Sequence, residues 1–291
     1  MTYSIIAVDR ATGEVGAAVA SSVLSIGRGV PWVRAGVGAV ATQSFTWRRY
    51  GPRGLDRLQA GATPEQALEA LLAEDDDRAT RQVGIVSLDG ATAGWTGDGC
   101  VPAVGMRSGD GWRVQGNMLV SERVVEVMAA AYEAATGPLA ERLVATLAAA
   151  EPAGGDLRGR QSAALLVAAG PRTDDPEQAV TVNLRVDDSA DPHGELARLV
   201  RVQIALDTLA VLTPTAPVAA LVGAHEAVAE VSPARLAVVH RAVAAALDGR
   251  GTEADRLWAG LAERQLWRGY VETMDRAGRL PGGGALLERS G

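Results

Sequence analysis

The order of strand-like and helix-like segments limits the fold of this chain more than any other feature. Short apolar runs typical of strands occupy residues 3–9, 14–20 and 36–44, and two helical segments follow them. After these come further strand-like runs, two more helical segments, and two last strands over residues 163–169 and 179–186. Strands grouped between helix pairs do not give the strict βαβα order of a parallel sheet. We therefore predict an α+β fold in which antiparallel sheets are covered by helices.

The chain changes character near residue 195, because almost everything after that point has a helical pattern. Two prolines and a Gly-Arg-Gly segment divide this region into four predicted helices, over residues 195–211, 215–229, 232–248 and 253–278. We predict an α+β domain over residues 1–200 and a helical C-terminal extension over residues 201–291.

Composition excludes several classes of protein. All 28 cationic residues are arginine, and without a lysine the chain cannot form a Schiff base, a Ser-Lys dyad or a phosphate-binding P-loop. The formal net charge of −7 argues against a non-specific nucleic-acid role. Cys100 is the single cysteine, so an intrachain disulfide and a cysteine-rich metal site are also excluded.

Localisation is inferred from the N-terminus and from the apolar runs. The first residues lack the basic segment and apolar stretch of a secretory signal, and no run of about 18 apolar residues could span a membrane. A free thiol suits a reducing compartment, so we expect a cytoplasmic protein. We expect no cofactor and no bound metal, and neither nucleic acid nor a membrane as a partner.

Elimination favours a nucleophile that carries its own base. The first 192 residues contain no histidine, so a Ser-His-Asp triad or a Cys100–His pair is hard to build there. Thr2 follows Met1, and a residue this small lets methionine aminopeptidase expose it. The freed threonine would combine a hydroxyl with an α-amine of pKa about 7.7–8.0, the Thr/N-terminal-amine pair of covalent catalysis.

Two polar segments could support such a nucleophile, and each has a plainer alternative. Residues 154–162 place Asp156, Arg158 and Arg160 among glycines, where the arginines either grip a substrate carboxylate or pair with nearby acids. Asn117 closes a strand, where it either donates to an oxyanion or, as is commoner, caps the helix that follows. Residue chemistry alone leaves both questions open.

A divalent cation is a further alternative. Asp187, Asp188 and His193 lie close together in sequence and are suitable ligand types, although Asp191 before Pro192 is an ordinary helix cap. Metal-dependent hydrolysis through these residues predicts loss of activity with a chelator.

A series of motifs spread over residues 1–200 resembles a known protein family. In chain order the motifs are Thr2-Tyr3-Ser4-Ile5-Ile6-Ala7, Gly16-Ala17-Ala18-Val19-Ala20-Ser21-Ser22, Val30-Pro31-Trp32, Gly36-Val37-Gly38-Ala39-Val40-Ala41-Thr42-Gln43, Tyr50-Gly51-Pro52-Arg53-Gly54-Leu55, Val114-Gln115-Gly116-Asn117, residues 154–165 and Leu184-Arg185-Val186-Asp187-Asp188. Together they resemble the domain of unknown function 1028 family, which is placed within the N-terminal nucleophile (Ntn) hydrolase superfamily. The resemblance ends near residue 200, so the helical extension is not covered.

The resemblance implies a four-layer αββα sandwich, with two antiparallel sheets between two helix layers. It also implies that Thr2, once it is the first residue, attacks an amide carbonyl while its own α-amino group acts as the base. In the superfamily the supporting groups lie near the ends of the central strands. By position, the candidates here are Ser21, Ser22, Thr42, Gln43, Asn117 and Asp156.

The sequence therefore predicts an Ntn-type amidohydrolase acting on a small carboxylated amide or ureide. Thr2 Oγ would attack, Asn117 or strand-end hydroxyls would stabilise the oxyanion, and Arg158 or Arg160 would hold a substrate carboxylate. The alternative is a non-catalytic ligand-binding or assembly protein that uses the sandwich as a scaffold and the helical extension as its interaction surface. We expect a small-molecule substrate as the partner and leave a homo-oligomer open.

Overall fold

Antiparallel pairing organises the strands of the N-terminal part. The structure, a computed structural model, describes residues 2–173, 175 and 178–289. Its strands are β1 Thr2–Asp9, β2 Glu14–Ser21, β3 Pro31–Arg34, β4 Gly38–Ser44, β5 Arg81–Ser87, β6 Thr92–Thr96, β7 Gly105–Gly109, β8 Trp112–Asn117, β9 Ser162–Ala168 and β10 Val180–Val186. One sheet has the order β10-β9-β2-β1-β8-β7 and the other has the order β3-β4-β5-β6.

Helices occur in two pairs among the strands and then fill most of the chain after β10. They are α1 Tyr50–Gln59, α2 Pro64–Ala73, α3 Arg123–Ala134, α4 Leu139–Ala150, α5 Pro192–Ala210, α6 Val218–Val231, α7 Ala234–Leu247, α8 Gly251–Ala259, α9 Arg264–Arg276 and α10 Gly283–Arg289. The predicted mixture of antiparallel sheets and helices, including helices at the C-terminal end, is confirmed.

β1 lies in the middle of the larger sheet because its sequence suits burial on both faces. All of residues 2–8 are buried. β1 and β2 form a hairpin, in which β2 returns beside β1 and pairs Ser21 with Thr2. Its turn uses Gly13, whose φ of 75° is a left-handed conformation that only glycine adopts without steric cost. On the other side of β1, Asn117 of β8 pairs with Thr2.

Each sheet packs against a pair of helices on one face and against the other sheet on its opposite face. α1 and α2 pack on β4, β5 and β6, whereas α3 and α4 pack on β1, β2 and β8. The core between the sheets consists of small aliphatic side chains, among them Ile6, Val19, Ala39, Ala41 and Ala164. These elements form the first of two compact units, residues 1–197.

A buried network of glutamine side chains joins the two sheets next to Thr2. Gln43 of β4 and Gln82 of β5 are fully buried, and Gln43 Nε2 lies 2.8 Å from Gln82 Oε1. Across the gap between the sheets, Ser4 Oγ donates to Gln43 Oε1 at 2.7 Å, and Gln82 Nε2 donates to the Gly116 carbonyl at 2.9 Å. Polar groups that would be costly to bury alone are thereby satisfied.

The second compact unit, residues 198–291, is mainly helical over its described residues, which end at residue 289. Its main core includes Val239, Trp258, Leu261 and Val271. The prediction of a single helix over residues 253–278 is wrong. Two helices occupy this range, because α8 ends at Ala259, before the core residue Leu261, and α9 begins at Arg264, after it. Glu263 has a left-handed φ of 58°, which interrupts the helical hydrogen bonding between them. None of the helices in the described ranges combines the length and apolar character needed to cross a membrane.

Two buried histidines form a pair inside the second unit. His225 Nε2 lies 2.9 Å from the carbonyl oxygen of Pro281, which can only accept, so this nitrogen carries the proton. His225 Nδ1 is then the acceptor for His240 Nδ1–H, 2.9 Å away. Burial lowers the pKa of both side chains, that of His240 to about 4. Both histidines are therefore neutral near pH 7.

The histidine pair predicts that the helical unit loses stability in mild acid. Between pH 6.5 and about 4 the unfolded chain binds a proton at residue 240 that the folded chain does not, so stability falls as pH falls through this window. This lowering of the His240 pKa corresponds to about 3 kcal/mol of unfolding free energy.

We expect His240→Leu to flatten the dependence of the unfolding free energy on pH between 7.5 and 5, measured by urea unfolding followed by circular dichroism. The control Arg241→Leu, which removes the exposed charge next to His240 in sequence, should leave the slope unchanged. An unchanged slope in His240→Leu would contradict the assignment.

The glutamine network predicts a large stability loss in Gln82→Leu. The change leaves amide donors of Gln43 and Asn117 and the Gly116 carbonyl without their partner at residue 82. Unsatisfied buried groups cost about 1–3 kcal/mol each, so we expect the N-terminal unit to lose about 3 kcal/mol in urea unfolding followed by tryptophan fluorescence. Gln178→Leu, at an exposed position in the same unit, should change stability by less than about 0.5 kcal/mol. Equal effects of the two substitutions would show that the network contributes little.

Candidate functional site

Thr2 lies at the end of a central strand with a polar partner on each side. Residues directly opposite one another in antiparallel strands point to the same face, so Ser21 and Asn117 project beside Thr2 toward the other sheet. The oxygens Thr2 Oγ1 and Ser21 Oγ are 3.1 Å apart. Thr2 retains 5% of its surface exposure. The predicted nucleophile and two of its predicted supports are therefore neighbours.

The opposite sheet holds the backbone of Thr2 in place. The Thr2 carbonyl accepts from Gln43 Nε2 at 3.0 Å and faces Asn117 Nδ2 at 3.5 Å. Asn117 Nδ2 also donates to Gln82 Oε1 at 3.1 Å. The glutamine network therefore fixes both the first residue of β1 and the amide beside it. Gln82 was not among the predicted site residues, and its only signal in the sequence is a polar residue at the start of an apolar strand.

Asp156 connects the loop after α4 to the same edge of the sheet. Its buried carboxylate accepts from the backbone N–H of Ser22 at 3.0 Å and from that of Arg158 at 2.9 Å. An isolated bridge pairs it with Leu119, two residues after Asn117. Asp156 and Ser22 thus lie beside the Thr2 end of the sheet.

Both arginines of this loop already have carboxylate partners. An Arg158 guanidinium nitrogen is 3.4 Å from Asp156, and Arg160 lies 3.7 Å from both Glu151 and Asp191. Arg160 also donates to a backbone carbonyl at 2.8 Å. Of the two alternatives that the sequence left open, the geometry matches pairing with nearby acids. A substrate carboxylate would have to share or displace these partners.

Thr42 lies on the wrong face of β4 to meet Thr2. Successive side chains of a strand alternate in direction, so Thr42 points away from the face that carries Gln43. It pairs with Val83, which belongs to the core under α1 and α2, and its hydroxyl is 3.5 Å from the Trp47 carbonyl. The structure does not bring this predicted residue together with the others.

A second polar group, missed by sequence reasoning, lies on the opposite face of β1. The Tyr3 hydroxyl donates to Glu151 Oε1 at 2.6 Å and lies 2.8 Å from His193 Nε2, which must then donate to it. Burial, reinforced by Glu151, raises the pKa of Tyr3, and burial lowers the pKa of His193. Both rings are therefore neutral near pH 7. Tyr3, Glu151 and His193 are far apart in the sequence, so no local pattern indicated that they come together.

The acidic segment after β10 does not assemble as the metal alternative requires. Asp187 is 3.6 Å from Arg185, Asp188 accepts from Gln161 at 3.1 Å, and His193 is bound to Tyr3. Among the described residues, no group of three histidine, cysteine or acidic side chains is placed to hold a metal ion.

The backbone turns sharply immediately after two of the site residues. Ser44 follows Gln43 with a φ of 72°, and Met118 follows Asn117 with a φ of 55°. Left-handed conformations of this kind cost roughly 1–3 kcal/mol each and persist where the surroundings enforce them. At this edge they end β4 and β8 beside Thr2 and direct the following residues away from the strands.

Comparison with known proteins identifies the family. The family of unknown function DUF1028 matches residues 2–196. No curated protein matches the chain. The crystal structure of protein SPO2555 from Silicibacter pomeroyi, a protein assigned to DUF1028, is similar to this chain with 32% identity and a TM-score of 0.62. The alignment covers 69% of this chain and 88% of that one. The chain therefore belongs to the DUF1028 family.

Proposed function

We propose that this protein is an amidohydrolase of the Ntn type, in which Thr2 is the nucleophile once Met1 has been removed. The observation that carries the proposal is the position of Thr2, at the end of a central strand between Ser21 and Asn117, with its hydroxyl 3.1 Å from that of Ser21. A hydroxyl, an amide donor and a free α-amine then meet on adjacent backbone positions. That is the set of groups an N-terminal nucleophile needs.

The layering of the N-terminal unit supports placing it in the Ntn superfamily. α1 and α2 pack on the smaller sheet, the two sheets pack on each other, and α3 and α4 pack on the larger sheet. This order supports the proposal of an αββα sandwich of the Ntn type.

In the proposed mechanism, Thr2 supplies both the nucleophile and the base. Its α-amine takes the hydroxyl proton while Oγ attacks the amide carbonyl carbon, which gives a tetrahedral oxyanion. Asn117 Nδ2 and the Ser21 hydroxyl are the donors placed to stabilise that charge. The protonated amine then gives its proton to the leaving nitrogen. Water hydrolyses the resulting ester, which releases the acid and restores Thr2.

The buried amides behind Thr2 contribute positioning. Gln43 and Gln82 fix the Thr2 carbonyl and the Asn117 side chain before any substrate arrives. Donors that are already oriented need no reorganisation when the oxyanion forms, which is where electrostatic catalysis gains most.

A non-catalytic ligand-binding or assembly protein, with the N-terminal unit as a scaffold and the helical extension as its interaction surface, is the second candidate. It is favoured by the low exposure of Thr2 and by the carboxylate partners of Arg158 and Arg160. On this view the site residues are a structural network, and the polar groups satisfy each other rather than a substrate. Substitutions of Thr2 and Asn117 separate the two candidates.

Thr2→Ala is expected to abolish turnover of an amide substrate without unfolding the protein. Alanine removes the nucleophilic oxygen but still permits removal of Met1, so only the chemistry is lost. We expect kcat to fall by about 10³-fold or more, measured after a panel of amides and ureides has supplied a substrate. Thr2→Ser, which keeps a hydroxyl, should retain measurable activity.

Thr12→Ala is a matched control, because Thr12 is an exposed threonine in the turn at the other end of β1. Its activity should equal that of the unmodified chain. Intact-mass measurement must show that Met1 is absent from every protein compared. Turnover retained by correctly folded Thr2→Ala, or activity in chains that keep Met1, would overturn the proposal.

Asn117→Ala is expected to lower kcat by roughly 10²–10³-fold with little change in KM, because an oxyanion donor acts only in the transition state. Asn183→Ala, at an exposed position on β10 of the same sheet, is the control and should have no effect. A loss of thermal stability in Asn117→Ala with kcat unchanged would assign Asn117 to the glutamine network alone.

A further inference from the structure

The exposed large apolar side chains of the N-terminal unit are not scattered over its surface. Among its described residues they are Val23, Leu24, Phe45, Val120 and Leu157, with exposures between 42% and 65%. We call these five residues the apolar rim. Single exposed apolar residues are ordinary, whereas a group of them at one place marks a binding surface.

Every member of the apolar rim follows a candidate site residue by at most three positions. Val23 and Leu24 follow Ser22, Phe45 follows Gln43 by two residues, Val120 follows Asn117 by three, and Leu157 follows Asp156 directly. β2 and β8 end where β1 begins, and Gln43 near the end of β4 donates to the Thr2 carbonyl there. Asp156, which precedes Leu157, bridges to Leu119 just after β8. Because a chain spans at most about 3.3 Å per residue, each rim residue lies within roughly 10 Å of the site residue that it follows.

The segments that carry the rim are held by hydrogen bonds and are not frayed ends. The Val120 N–H donates to the Gly155 carbonyl at 3.2 Å, and the Leu157 N–H donates to the Met118 carbonyl at 3.4 Å. The Phe45 carbonyl accepts from the Arg81 guanidinium at 2.6 Å. The apolar side chains are therefore presented to solvent by a fixed backbone at a cost in hydration free energy.

We propose that the apolar rim binds an apolar acyl group of the amide substrate. The substrate would then be a hydrophobic N-acyl compound and not the small carboxylated amide suggested by Arg158 and Arg160. This inference rests on the proposed function. The two arginines are occupied by Asp156 and Glu151, whereas the rim offers apolar surface of the kind that lines small-molecule sites.

The expected preference can be estimated from the area that an acyl chain would bury. A fully buried methylene contributes about 0.8 kcal/mol, and a hexanoyl group has four more methylenes than an acetyl group. Even with less than half of that burial on an open rim, the longer chain should bind about tenfold more tightly. A succinyl group, of intermediate length and ending in a carboxylate, should gain none of this.

Binding can be tested independently of catalysis in Met1-processed Thr2→Ala protein. The probes are N-phenylhexanamide, N-phenylacetamide and the monoanilide of succinic acid, and the measurement is isothermal titration calorimetry. We expect the hexanamide to bind about tenfold more tightly than the other two probes. Phe45→Ser and Leu157→Ser in the same background should each reduce this ratio toward one. Leu266→Ser, which removes an exposed leucine of α9, is the control and should preserve it.

Several outcomes would show that the rim is not a substrate surface. They are equal affinities for the three probes, a preference for the succinyl probe, and the absence of any binding. So would a change of oligomeric state in Phe45→Ser, seen by sedimentation, with the affinity ratio unaltered, since the rim would then contact a second copy of the chain.

Turnover of the same anilides by chains with intact Thr2 tests the proposed function separately. Turnover without an apolar preference would reject the rim and keep the amidohydrolase. An apolar preference in binding, with no turnover of any anilide, would keep the rim as a site for apolar ligands and count against hydrolysis.

Discussion

The hydrogen-bond network of Gln43, Gln82 and Asn117 is the constraint on which the N-terminal unit depends. The core between the sheets is made of small aliphatic side chains, which fill space but impose little register on two facing sheets. Buried amides do fix the register of the two sheets. An amide that is displaced from its partner loses its hydrogen bond while the free-energy cost of its desolvation remains. Gln43 of this network donates a hydrogen bond to the Thr2 carbonyl. The hydrogen bonds that align the two sheets therefore also position the proposed nucleophile.

Both faces of β1 are held at the same end, by different chemistry. On the inner face the amide network holds Thr2 and Ser4, while on the outer face the Tyr3 hydroxyl bonds Glu151 and His193. Glu151 begins the turn that leads into the loop carrying Asp156, and Asp156 in turn holds the backbone of the segment after β2. The strand end, the loop and the neighbouring strand therefore form one connected polar structure, whose members are far apart in sequence.

Sequence patterns predict features that depend on neighbouring residues, such as a hairpin. They do not predict which face of a fully buried strand points toward the site. The β1–β2 hairpin, and with it the pairing of Ser21 with Thr2, follows from two apolar runs and a glycine turn. Thr42 and Gln43 could not be distinguished, because β4 is buried on both faces and has no alternation of polarity to read. Gln82 joins the site only through the packing of the second sheet.

The arginines show why residue type is a weaker guide than its surroundings. Arg158 and Arg160 in a glycine-rich loop indicate a carboxylate ligand, yet the acids that satisfy them come from the same loop and from residues folded beside it. The rim residues are apolar side chains that follow strand ends, and the fold leaves them exposed. The buried amides next to Thr2 and the two arginines thus bond to groups of the protein itself, and the apolar rim remains exposed to solvent. On the function proposed above, such a site would use fixed dipoles for the charge that develops at the reacting carbonyl, and apolar contact to hold the remainder of the substrate.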